Sequence, residues 1–124
     1  MSLVLDAGAL IAVERGDRAT AAVIEVARQR RRRVVVPAGV VGQVWKGSAQ
    51  QARQARLLNA RDVVVEPLTE IGARAAGVLC GSAGATDVVD ASVVLTARRY
   101  QATVISSDRA DLRVLDPTVP VVDC

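Results

Sequence analysis

Apolar residues gather in short runs at 2–5, 34–36, 63–65, 102–105 and 119–122, dominated by Val, Leu or Ile with no polar alternation. Such runs suit strands buried on both faces of a parallel sheet. Helical spacing of apolar positions fills the intervals, at roughly 8–14, 18–32, 38–46, 49–59, 69–80 and 87–99, with a short stretch near 109–115. This alternation predicts an α/β three-layer sandwich, a mostly parallel central sheet flanked by helices and built from right-handed βαβ units. The punctuation fits. Gly16-Asp17 separates two helices, Pro37 opens another, and Gly81-Ser82-Ala83-Gly84 reads as a loop before Thr86. Thr86 is the expected N-cap of the 87–99 helix.

The 124 residues, 51% of them hydrophobic, supply one core, and no repeat or linker divides residues 1–124, so one domain is expected. No stretch approaches membrane-spanning length and no leader pattern opens the chain. A cytoplasmic protein with no membrane partner and reduced Cys80 and Cys124 is the expectation. Phe is absent, Trp45 and Tyr100 are the only aromatics, and base recognition on several stacked rings is therefore excluded.

Charge adds a second layer. The net charge is +3, and of the 16 basic residues only Lys46 is lysine. Arginine's planar fork suits bidentate phosphate contact, which favours a polyanionic partner over a merely solvated surface without deciding between them. The dense run Arg28 and Arg30–Arg33 has two readings: a soluble end to the 18–32 helix, complementing its dipole, or a phosphate-binding flank.

The acids fall at particular places. Val4-Leu5-Asp6 and Val104-Ile105-Ser106-Ser107-Asp108 each drive an apolar strand into an aspartate, and Asp87 and Asp90 open the 87–99 helix one turn apart. Singly, Asp6, Asp87 and Asp108 could be helix caps, Asp111 a first-turn acid and Asp90 an exposed residue. Asp90, however, lies among Val88, Val89, Ala91, Val93 and Val94, where a buried carboxylate needs a metal or an arginine beside it. Ligands of open α/β sheets bind beyond the carboxyl ends of the strands, and gathered carboxylates attract a divalent cation. With no histidine in the chain, a Ser-His-Asp relay and histidine-bound zinc are excluded, leaving oxygen ligation that favours Mg²⁺ or Mn²⁺. A receiver-type signalling domain also gathers aspartates around Mg²⁺, but it needs a lysine late in the chain, and Lys46 is the only one.

These motifs resemble the PIN domain and, within it, the VapC-type toxins of bacterial toxin–antitoxin pairs. Leu3 to Ala12 is similar to the family's first acidic motif, Thr86-Asp87-Val88-Val89-Asp90-Ala91 to its third, and Val104 to Leu112 to its fourth. The resemblance implies Asp6, Asp90 and Asp108 as catalytic metal ligands, with Asp87 and Gln43 in support, Asp111 as an outer acid, and Ser107 and Thr86 orienting ligands or phosphate. It also implies Mg²⁺- or Mn²⁺-dependent hydrolysis of RNA, a cognate antitoxin over the acidic pocket, and a homodimer. The second motif departs: where the family usually has a glutamate, Val36 to Trp45 offers Gln43. A PIN-like protein that only binds RNA or a partner is the alternative this departure raises.

Overall fold

Five strands, β1 (Ser2–Leu5), β2 (Val34–Pro37), β3 (Val63–Glu66), β4 (Ala102–Ser106) and β5 (Val121–Asp123), form one all-parallel sheet in the order β3-β2-β1-β4-β5. The computed structural model describes every residue from Met1 to Cys124. The three central strands fulfil the sequence pattern: Val4, Leu5, Val34, Val35, Val36 and Val104 have no exposed surface. The outer strands correct it. Val64, Val65 and Val122 are partly exposed because β3 and β5 are the edges of the sheet, with a neighbouring strand on one side only.

The chain leaves β1 toward β2 and β3, then returns across the sheet to β4 and β5. Right-handed crossovers in opposite directions put helices on both faces. Helices α1 (Ala7–Glu14), α2 (Arg18–Gln29) and α4 (Ala52–Asn59) pack together on one of them, and α6 (Val88–Tyr100), with α5 (Glu70–Ala83) and α7 (Arg109–Leu115) against it, covers the other. The short α3 (Ala38–Val44) sits after β2 and touches both α1 and α6. Strand order reverses between β1 and β4, whose carboxyl ends flank the crevice that open α/β sheets use for ligands.

Helix ends depart from the sequence reading for local reasons. The 18–32 helix stops at Gln29 because Arg31 turns left-handed, at φ 56°. The 38–46 helix stops at Val44, where the buried Gln51 amide accepts from the Lys46 and Gly47 backbone N–H groups and donates to Val44 C=O. Gly81 and Ser82 are helical, not loop. Helix α5 runs to Ala83 and only Gly84, at φ 68°, closes it. Thr86 caps nothing: Asp87 is the N-cap of α6, its Oδ1 accepting from Asp90 N–H at 3.0 Å. No single helix is long and apolar enough to cross a membrane.

Candidate active site

Parallel pairing of Leu5 with Ile105 sets the residues that follow β1 and β4 side by side. Asp6 leaves β1 and caps α1, accepting from Ala9 N–H at 3.1 Å through Oδ1. Across from it, Ser106 ends β4 fully buried, and its Oγ accepts from Asp108 N–H at 2.8 Å. The same hydroxyl hydrogen-bonds the Asp6 carboxyl. Ser106 therefore ties the two acidic turns together, whereas the sequence reading named only its neighbour Ser107, as a residue orienting ligands or phosphate. Nothing in the sequence chose between the two serines, because the choice depends on the register of β4 against β1.

Gly8 makes the approach close enough. A Cβ built there would lie 2.2 Å from Ser107 Oγ and 2.9 Å from Ser107 backbone N, so no larger residue fits beneath the β4–α7 turn as it stands. Ser107 itself is exposed, as are Thr86, Asp87, Asp108 and Asp111, and Asp90 is half-buried.

The structure brings five aspartates into one field. Burial, then Asp87, Asp6, Asp111 and Asp108, push the Asp90 carboxyl up to about 6. Burial also raises Asp6, with Asp108 adding to it, against the lowering effect of hydrogen bonds from Ser106, Ala9 and Gly8. Neighbouring acids are treated differently. Glu66 pairs with Arg99 and accepts from the Tyr100 hydroxyl, Asp116 pairs with Arg98 and Asp123 with Arg109. Asp6, Asp87, Asp90, Asp108 and Asp111 have no arginine or lysine partner. The arginine that would relieve Asp90 is thus not there.

The capping explanation holds for Asp6 and Asp87 and fails for Asp108, which occupies the N-cap position of α7 without a side-chain hydrogen bond. As the side chains stand, no three carboxylates converge closely enough to hold an ion. The donor chemistry nonetheless fits a hard divalent cation: all-oxygen, uncompensated, and with Asp90 and Asp108 side chains that no hydrogen bond holds against rotation. Gln43 is exposed near the end of α3, without a hydrogen bond, on the helix that touches those following Asp6 and carrying Asp90. The Arg30–Arg33 run lies at the opposite, amino edge of the sheet, so it is not a flank of this site. Arg33 there stacks over Tyr100, 5.7 Å from the ring centre.

Comparison with known proteins now decides the family. The PIN domain model matches residues 3–116. The chain belongs to the PIN-domain family. Three solved structures share the fold of this PIN domain. VapBC2 from Rickettsia felis, bound to a DNA fragment from its promoter, superposes with TM-score 0.74 at 12% identity, covering 100% of this chain and 99% of that one. FitAB bound to an IR36 DNA fragment gives 0.65 at 16% identity, covering 98% and 94%. FitAcB from Neisseria gonorrhoeae gives 0.62 at 15% identity, covering 96% and 95%. No curated protein matches in sequence.

Two outcomes follow from the geometry. The raised Asp90 value means that the folded state binds a proton more tightly than the unfolded chain, whose carboxyl titrates near 3.8. The resulting destabilisation is absent below pH 3.8, grows toward pH 6 and is complete above it, reaching up to about 3 kcal/mol before solvent screening reduces it. Asp90→Asn should raise the metal-free melting temperature at pH 7.5 and lose that advantage at pH 3.5, as calorimetry would show; an equal effect at both pH values contradicts the field described. Gly8→Ala should destabilise the fold by about 1–3 kcal/mol through overpacking against the 106–108 turn. Adding Ser107→Gly, which removes two of the three close contacts, should recover part of the loss in urea denaturation.

Proposed function

We propose that the chain is a divalent-metal-dependent endoribonuclease, hydrolysing phosphodiester bonds in RNA with Mg²⁺ or Mn²⁺, and that it is the toxin of a toxin–antitoxin pair. The observation that carries this reading is selective neutralisation at the carboxyl edge: Glu66 and Asp123 have arginine partners, and the five aspartates around the β1–β4 crevice have none. Charge left uncompensated at the crevice of a PIN fold is what a cation site requires.

Asp6, Asp90 and Asp108 would hold the ion and are the proposed catalytic residues. Bound there, the ion would lower the pKa of a water and screen the charge developing on the phosphoryl oxygens. The chain's own groups prepare the place. Ser106 fixes Asp6 against the β4 turn, Asp87 pins the start of α6 and so presents Asp90, and Asp111 adds negative potential from α7. The exposed hydroxyls of Thr86 and Ser107 remain available to phosphate. No imidazole exists, and the Cys124 thiol, raised to about 11 by burial and by Asp6, Asp17, Asp123 and Asp108, stays protonated at neutral pH. Neither an imidazole nor a thiolate therefore serves as base, which leaves the carboxylates as the only titrating groups named at the site.

An antitoxin partner is supported by the fold shared with VapBC2 and FitAB. A cavity of about 520 Å³ between α1, α2 and α4, lined by Val13, Ala21, Ile24 and Leu57 with Arg18 and Arg56 at its rim, would seat an apolar antitoxin segment carrying acids. Homodimer formation is proposed on the outer face of α5, where Ile71 and Val78 are 83% and 70% exposed. An RNA substrate implies action in the cytoplasm. The second reading, a PIN domain that binds without cutting, rests on Gln43, which supplies a carbonyl oxygen in place of a charge.

Cleavage of an RNA pool should stop in excess EDTA and return with Mg²⁺ or Mn²⁺, and Asp6→Asn, Asp90→Asn and Asp108→Asn should each reduce it by two or more orders of magnitude while the protein stays folded. Full activity in chelator, or three active variants, refutes the reading.

The Gln43 question has its own measurement. If Gln43 faces the ion, Gln43→Glu should tighten Mn²⁺ binding in isothermal titration by roughly tenfold, since a charged contact near the surface is worth on the order of 1 kcal/mol or more. Indistinguishable dissociation constants remove Gln43 from the site.

A further inference from the structure

At the amino edge of the sheet, away from the acidic crevice, α2 has more apolar surface than the core covers. Val23, Val26 and Ala27, followed by the C-cap Arg30, stand at i, i+3, i+4 and i+7 and so form one stripe. The residues that α2 buries are Thr20, Ile24 and Ala27, whereas Val23 and Val26 are 39% and 44% exposed. Between this stripe and Leu3 at the start of β1 lies a mostly apolar groove of about 360 Å³, with the exposed Arg30 and Arg32 on its rim.

The charge around this groove has one sign. Four other arginine-lined cavities each contain an acid as well: Glu66, Asp17, Glu25 or Asp116. This one contains none. The dipole of α2 does not account for its arginines, because Arg28 already stands in the last turn, held by Asp62 and Glu25. Beyond it Arg30, Arg31, Arg32 and Arg33 have no carboxylate partner among them, and Arg33 is turned to the Tyr100 ring.

We propose that the groove between α2 and the start of β1 docks an acidic amphipathic segment of a protein partner, with its apolar side chains against Leu3, Val23 and Val26 and its carboxylates on Arg30 and Arg32. Charge complementarity selects this occupant, since an aliphatic floor beside two unanswered cations matches apolar and acidic side chains carried on one helical segment. RNA would meet the arginines but leave Val23 and Val26 under a polyanion, and no aromatic ring lines the groove to stack a base. A flat bilayer surface gains little from a concavity between a helix and a strand end. The seat proposed above for an antitoxin is on the other side of α2, against Ala21 and Ile24, so substitutions tell the two grooves apart. The inference stands independently of what the crevice cuts.

The probe is a fluorescein-labelled peptide of about 14 residues with Leu at i, i+3, i+4 and i+7 and Glu between them, followed by anisotropy with the full chain. Binding should weaken as salt rises, and Arg30→Glu combined with Arg32→Glu should reduce it by about tenfold or more and remove most of the salt dependence. Val26→Asp, at an exposed position, should also weaken it by about tenfold. On titration the amide resonances of Ala22 to Arg32 should shift most. Oligoglutamate without the leucines should bind about tenfold more weakly than the peptide. Equal binding of the two, or no binding of the peptide at about 1 mM, overturns the inference. Arg56→Glu, on the rim of the groove between α1, α2 and α4, should change peptide binding by less than about twofold; a loss matching that of the Arg30 and Arg32 variant moves the peptide to that groove and overturns it. So does tighter binding of a single-stranded oligoribonucleotide, or of phosphatidylglycerol vesicles, that is abolished by Arg30→Glu with Arg32→Glu, since the patch would then belong to a nucleic acid or a lipid surface.

Discussion

The pairing of β1 with β4 is the contact on which the site depends. Two strands far apart in the sequence run parallel, side by side and in register, Leu5 against Ile105, so the chain segments that leave them must diverge at one place. Asp6 and Asp108 are carried there by backbone hydrogen bonding alone. Ser106 and Gly8 then reduce the distance: one by a hydroxyl that serves both turns, the other by having no side chain. The acids are gathered by parts of the fold that are themselves apolar, rigid and well paired, which is how a repulsive arrangement is held without an opposing charge.

That arrangement opposes folding. A half-buried Asp90 surrounded by four other carboxylates is stabilised by nothing within the chain, while the same sequence supplies arginines freely to Glu66, Asp116 and Asp123. A chain with 15 arginines does not lack cations for the crevice. Their absence at this one position, together with side chains left free to rotate, sets the crevice apart from an ordinary set of helix caps. Capping leaves Asp6 and Asp87 one oxygen each that no backbone amide occupies.

The sequence made the architecture legible because its central strands are unbroken Val, Leu and Ile, a pattern that admits little besides a doubly covered sheet. It misled at the edges, where Val64, Val65 and Val122 have the composition of buried strand but lie on strands with a neighbour on one side only. Strand composition reports propensity; strand order is a tertiary property. Asp6, Asp90 and Asp108 could be named as candidates from their places at strand ends and at a helix start. Ser106 could not, because choosing between two adjacent serines needs the register of β4 against β1. The cap of α6 was misassigned by one residue, since Thr86 and Asp87 are both good caps and only backbone geometry at Asp87 chooses between them. The arginine run was read as charge without its location, which follows from its place directly before β2 and so at the amino edge of the sheet.

That location makes the molecule an electric dipole. Arg30 to Arg33 stand at one end of the strands and five aspartates at the other, separated by a strand length of roughly 15 Å. In the field of a polyanion the torque turns the arginine end inward and the aspartate end outward. A cation held at the aspartate end would weaken that bias. The same +3 net charge, arranged uniformly, would carry no such orientation, so the distribution of charge sets a direction that net charge does not describe.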